Sequence, residues 1–179
     1  MAARLRVWIV SRLTYWIVKF LIPHRVGPVM RLIFRIPVCF HRLGLHFLNP
    51  RWILILGTTG RRTGKPRLTA LEYGFDPAHN GYFLMSGWGG TSDWYRNAIA
   101  HPRVQVWIAG KQLDGIARPA SDEEVALEME SILTIAPNAY RTWEAHSMVK
   151  YDGTRVSLLR MAQGLPSVVI TPITLDIDA

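Results

Sequence analysis

The sequence predicts an α+β protein: a six-stranded antiparallel β-barrel with peripheral helices, preceded by an N-terminal helical extension. Three observations predict it. From Trp52 to Pro119, short apolar or alternating runs recur between turns rich in glycine and proline. Ser121-Asp122-Glu123-Glu124 then reads as a capping box opening a helix, and Val168 to Leu175 returns as a closing strand. Before Trp52 the chain keeps helical periodicity and carries no acidic residue. The 179 residues suit one proper hydrophobic core. Composition divides them into an extension, 1–50, and a barrel domain, 51–179.

The extension carries the charge imbalance. Met1 to Arg51 holds nine Lys and Arg and no Asp or Glu, whereas the rest of the chain holds twelve cations and thirteen acids. Leu5 to Ile22 places Arg4, Ser11, Arg12, Tyr15 and Lys19 on one arc of a helix and Leu5, Ile9, Leu13, Trp16, Ile17 and Phe20 on the other. Arg12 and Lys19 interrupt an apolar run already shorter than the roughly 20 residues of a bilayer span, and no small-residue cleavage site follows. Such a helix lies in an interface, so a cytoplasmic protein held peripherally at the anionic inner face of a membrane is expected. The competing reading packs its apolar face on the barrel or on a second subunit of a homodimer. Nucleic acid fits less well, because half the segment is aliphatic or aromatic. The single Cys39 excludes an intramolecular disulfide, and no Cys/His cluster has the spacing of a metal site.

In chain order, Pro23 and Gly27-Pro28 make a turn, and Met30 to His46 continues helically with a break near Pro37. Strands are expected at Trp52–Thr58, Arg67–Phe75, Tyr82–Ser86, Arg103–Ala109, Gln112–Pro119 and Val168–Leu175. Val104, Val106 and Ile108 alternate with Gln105 and Trp107, which marks a strand with one face inward. Asp93 stands at the N-cap of a short helix, Trp94–Ala100, and Gly110-Lys111 turns a hairpin. Val125, Met129 and Ile132 form the apolar stripe of the helix after Ser121. Pro137-Asn138 interrupts it, and an aromatic segment with Tyr140, Trp143 and Tyr151 follows.

The chemistry gathers in Gly57 to Arg67, GTTGRRTGKPR, between the first two strands. Eleven residues carry three glycines and four cations, Arg61, Arg62, Lys65 and Arg67. Glycine lets backbone N–H groups approach a ligand, and Arg presents a fork matched to phosphate or carboxylate oxygens. Two readings are open: a loop that holds an acidic ligand, or a solvated turn. It is not a Walker A loop, since Gly64-Lys65 runs into Pro66 and a strand.

Four stretches in order, GTTGRRTGKPR, Ser86-Gly87-Trp88-Gly89-Gly90, Asp93-Trp94-Tyr95-Arg96-Asn97 and His101-Pro102-Arg103-Val104, resemble the deazaflavin (coenzyme F420)-dependent nitroreductase family. The likeness runs from about Arg51 to the C-terminus and implies the split β-barrel of the flavin/deazaflavin oxidoreductases. It implies that Thr59, Gly60, Arg61, Arg62, Thr63, Gly64, Lys65 and Arg67 hold the cofactor's phosphate and acidic tail. Ser86 and Gly87 would bound its ring, and Trp94, Tyr95 and Asn97 would lie beside it. Ser86 and Tyr140 stand as the catalytic candidates, with Tyr140 and Trp143 over the substrate pocket. Four residues keep a bland alternative: Arg67 as a structural ion pair, Trp94 as core, and Tyr140 with Trp143 as a seal on the barrel. The chain departs from its relatives where many carry a lysine after the serine equivalent to Ser86; here Gly87 and Trp88 follow. One cation near the cofactor's phosphate is therefore missing, which keeps flavin mononucleotide (FMN) open as the ligand. The expected activity is hydride transfer from reduced deazaflavin to a small hydrophobic acceptor such as a quinone, enone or nitroaromatic. The alternative is a membrane-associated fatty-acid-binding protein on the same barrel.

Overall fold

The computed structural model describes residues 32, 35–76, 81–86 and 89–173. The amphipathic stretch Leu5–Ile22, Gly87, Trp88 and the chain from residue 174 onward lie outside them. The described residues group into a β unit, 35–120 with 166–173, and a helical unit, 121–165.

Seven strands build the β unit: β1 (Ile53–Thr59), β2 (Pro66–Glu72), β3 (Gly74–Asp76), β4 (Gly81–Met85), β5 (Arg103–Ile108), β6 (Lys111–Pro119) and β7 (Ser167–Pro172). All neighbours are antiparallel, in the order β2-β1-β5-β6-β7-β4-β3. The count corrects the expected six, and the ladder explains the difference. β2 pairs with β1 over its whole length, from Thr59↔Pro66 to Ile53↔Glu72, so the next residues have no partner left on that side. After Tyr73 the chain pairs instead with β4, through Gly74↔Phe83 to Asp76↔Gly81. The run expected as one strand, Arg67–Phe75, therefore bends at a single residue and reaches from one edge of the sheet to the other. That curls the sheet. Tyr73 is fixed at the bend, its hydroxyl donating to the Arg51 carbonyl at 3.0 Å.

The inward positions form one apolar core: Leu54 and Leu56, Leu84, Val104 and Val106, Ala117, Val168 and Ile170, joined by Trp94 and Ala98. Two helices belong to this unit. α1 (Ile36–Arg42) packs on β1 and β2. Pro37 begins it rather than kinking it, because proline's fixed φ and missing N–H cost nothing in the first turn. Val38 is buried and the His41 ring lies 4.8 Å from Trp107. A 3-10 turn, His46–Leu48, follows. α2 (Asp93–Ala100) packs on β1 and β6. Its N-cap is Ser92, with Asp93 already inside the first turn, so the helix starts one residue earlier than the sequence suggests.

The helical unit holds α3 (Asp122–Ile135), α4 (Tyr140–Ser147) and α5 (Arg155–Gln163). The capping box of α3 is closed both ways: Glu124 N–H donates to Ser121 Oγ, and Ser121 N–H to Glu124 Oε2 at 2.8 Å. Arg155 joins α5 to α3, with Glu130 at 2.7 Å and Glu123 at 2.8 Å. α5 is absent from the sequence reading. Its signal was Thr154, whose hydroxyl accepts from Ser157 N–H, ahead of Leu158, Met161 and Ala162, all buried at helical spacing. Among the described residues no helix is long and apolar enough to cross a membrane.

Candidate functional site

The β1–β2 loop is clipped shut at its base and propped open on one flank. Gly60 N–H donates to the Lys65 carbonyl at 2.9 Å, and the N–H groups of Thr63 and Gly64 return to the Gly60 carbonyl at 3.1 and 2.8 Å. Position 60 favours glycine, because a Cβ there would lie 2.9 Å from Thr63 Oγ1 and 3.1 Å from the Lys65 carbonyl oxygen. Gly64 takes φ +64°, the left-handed region that favours glycine. The glycines of this stretch thus serve a folded loop that carries four cations.

One side chain from α2 fixes the loop. The Asn97 Oδ1 accepts from the Arg61 backbone N–H and from Arg61 Nη1, both at 3.1 Å. Asn97 is buried and Arg61 half-buried, so these two bonds are partly shielded from water. Arg61 Nη1 also reaches Asp93 Oδ1 at 2.8 Å. A groove of about 400 Å³ opens beside this contact, lined by Gly60, Arg61, Arg62, Thr63, Arg67, Leu68, Thr69, Asp93, Trp94 and Asn97.

Seven of the expected cofactor contacts therefore meet in one place: Gly60, Arg61, Arg62, Thr63, Arg67, Trp94 and Asn97. Thr59, Gly64 and Lys65 belong to the same loop without lining the groove, and Tyr95 sits half-buried on α2, edge-to-face with Trp94 at 6.1 Å. Trp94 does both things weighed for it, forming part of the core and part of the wall. Arg67 has no carboxylate partner among the described residues, which leaves its exposed guanidinium to the groove. Ser86 ends β4 and is buried. Its N–H donates to the Pro166 carbonyl at 3.1 Å, and its hydroxyl meets that of Ser92 at 2.8 Å. Gly87 lies outside the described residues. Tyr140 belongs to the helical unit, half-buried, its ring 5.3 Å from Tyr151, while Trp143 on the same helix is buried. The sequence reading missed Leu68 and Thr69 as lining residues, and it took Asp93 for a cap. The period of two along β2 could have found Thr69, since it shares a face with Arg67.

Chemically the groove has the donor set of an anion site. Three guanidinium groups face one exposed carboxylate, and a glycine whose Cβ would collide with the loop lets backbone come close. A phosphate or carboxylate tail fits that donor set.

The model of the F420H(2)-dependent quinone reductase family matches residues 42–149, which include the loop, the groove and Tyr140. The chain belongs to that family. It is an oxidoreductase whose cofactor is coenzyme F420, so the family decides between the deazaflavin and FMN where the sequence left both open. Two F420H(2)-dependent quinone reductases of Mycobacterium tuberculosis, from strains ATCC 25618 / H37Rv and CDC 1551, are each 26% identical over 121 residues, 66% of this chain and 72% of theirs. Among solved structures, an F420-H2 dependent reductase (FDR-A) aligns with 67% of this chain and 94% of its own at 24% identity, with a TM-score of 0.47.

Proposed function

We propose that this oxidoreductase reduces a lipid-soluble quinone, holding the acidic tail of the deazaflavin in the arginine groove. The observation that carries the proposal is the groove itself: Arg61, Arg62 and Arg67 converge there around the Gly60 turn with Asp93 as the single acid. When bound, reduced coenzyme F420 supplies the hydride, and the protein's contribution is binding, orientation and exclusion of water. Arg62 and Arg67 meet the tail with charge-assisted hydrogen bonds. Asn97 holds Arg61 in place, and Trp94 provides an apolar wall. Ser86, tied to the Ser92 cap of α2, bounds the ring. The quinone preference is supported by the names of the relatives. Anaerobic oxidation of the reduced cofactor, followed by loss of its absorbance with a panel of quinones, enones and nitroaromatics, tests it. Turnover fastest with quinones is expected; turnover with none of them overturns the reading.

Attachment to an anionic membrane surface supports the same acceptor. Arg35, Arg42 and Arg51 are exposed beside Leu43 and Phe47, each 71% exposed, and no acid occurs before Glu72. Apolar surface of this kind leaves water at a bilayer, while each nearby cation gains about 1 kcal/mol from anionic lipid. Co-flotation of the full chain with anionic vesicles at low salt, and its loss at high salt, is the expected result. A chain that stays in the soluble fraction at low salt removes this part of the proposal.

A further inference from the structure

The groove contains a charge that an anion site does not need. Asp93 Oδ1 stands 2.8 Å from Arg61 Nη1, the same nitrogen that Asn97 already engages. Two features separate the roles of these neighbours. Asn97 is 5% exposed and binds both the backbone and the side chain of Arg61, so it fixes that residue without help. The Asp93 side chain is 83% exposed and adds neither burial nor a second anchor. It sits in the first turn of α2, where helix N–H groups and water satisfy a carboxylate whether or not it holds an arginine. Letting go of Arg61 is therefore cheap for Asp93, as for exposed ion pairs in general. Arg62, Lys65 and Arg67 form no ion pair among the described residues. Arg61 alone among the four loop cations carries its own counter-ion.

We infer that Asp93 is a built-in competitor for the ligand: its carboxylate occupies the place on Arg61 that an anionic oxygen of the cofactor takes, and so sets the affinity of the groove for anions. This rests on reading the groove as the site of the cofactor's tail. Asp93 is then a specificity-determining residue. An incoming anion exchanges one carboxylate for another at Arg61 and makes its net gain on Arg62 and Arg67. A ligand that reaches only Arg61 gains little, and one with several acidic groups is retained.

The test is direct binding, read by fluorescence titration of coenzyme F420 into the full chain. Asp93→Asn keeps the size and the hydrogen bond but removes the charge, and is expected to bind roughly three- to fivefold more tightly, the worth of an exposed ion pair. Its salt dependence should be steeper, because the groove has gained a net positive charge. Asp93→Glu, which keeps the carboxylate, should restore wild-type affinity and salt slope, which a purely helical role for position 93 would not produce. An Asn variant that binds with unchanged or weaker affinity overturns the inference. Arg62→Ala/Arg67→Ala, titrated alongside, separates this from the underlying reading. If that variant weakens binding while Asp93→Asn does not tighten it, the groove stands and the competitor falls. If neither changes affinity, both fall. Tightening by Asp93→Asn with no loss in the double variant keeps the competitor and confines the ligand to Arg61.

Discussion

Two hairpins of the β unit are built from the same ladder and differ in what they do with the turn. β5 and β6 join through Ala109 and Gly110, both at positive φ (48° and 82°), the geometry of a tight two-residue turn that follows the twist of the strands. Its surroundings are filled: the His41 ring lies on Trp107, and a Cβ on Gly110 would meet the His46 ring at 2.5 Å. β1 and β2 join instead through six residues, Gly60 to Lys65, between the last pair Thr59↔Pro66. Here the space beside the turn is a groove, and its walls include three guanidinium groups, of which that of Arg61 is held by a neighbouring helix. The tight turn is closed by packing and serves the fold. The wide loop is closed by its own backbone bonds, which frees its side chains for a ligand.

Substitutions that separate binding from stability test this contrast. The largest effect is expected from Arg62→Ala/Arg67→Ala, which removes two charge-assisted contacts of about 1.5–3 kcal/mol each. Affinity for the cofactor should fall by at least about a hundredfold in a titration, with the denaturant midpoint nearly unchanged. Lys111→Ala at the other hairpin should leave affinity untouched. Gly110→Ala should do the reverse. A side chain at φ +82° that also displaces the His46 ring should cost about 2 kcal/mol in a urea melt and leave binding alone. Gly60→Ala lies between them. Its Cβ pushes on Thr63 and on the Lys65 carbonyl, so the loop must reshape, with a loss of roughly 1 kcal/mol of stability and a clear drop in affinity.

Much of the contrast was legible in the sequence. Four cations among three glycines between two β-prone runs mark the loop, and alternation along Arg103–Ile108 marks an inward face that the structure fills with Val104 and Val106. The reading placed the second turn at Gly110-Lys111, one residue late. Local sequence favours Gly at either turn position, and only the register Ile108↔Lys111 forces Ala109 into the turn. The bent strand was hidden for a similar reason. Nothing within Arg67–Phe75 says that β1 begins only at Ile53, and pairing partners far along the chain decide where a strand breaks. Asn97 was singled out for the ligand and holds Arg61 in the structure, a tertiary contact across 36 residues that no spacing rule encodes.

Two smaller effects sharpen the role of the tight turn. Ala109→Gly relieves positive φ at a residue with a Cβ and should stabilise by about 0.5–1 kcal/mol, less the entropy that glycine loses on folding. The packing beside it should also respond to pH. Burial first, then the nearby His46 and Arg42, hold His41 below the usual imidazole value. The neutral form is therefore the one the fold prefers. Its contribution is complete above about pH 6.5 and is lost as pH falls through the lower folded-state value. Because the ring is partly solvated the effect is modest. Thermal melts from pH 7.5 to pH 5 should show a decline that His41→Gln diminishes.

The central claim is that the wide loop recognises the acidic tail of the cofactor rather than its ring, and shortening the ligand tests it most directly. Wild type and Arg62→Ala/Arg67→Ala are titrated with intact coenzyme F420 and with a deazaflavin lacking the phosphate and acidic tail. The prediction is that the substitutions weaken the intact cofactor by about a hundredfold or more and leave the already weak tail-less ligand unchanged. Equal losses for both ligands, or no loss for the intact one, would contradict it.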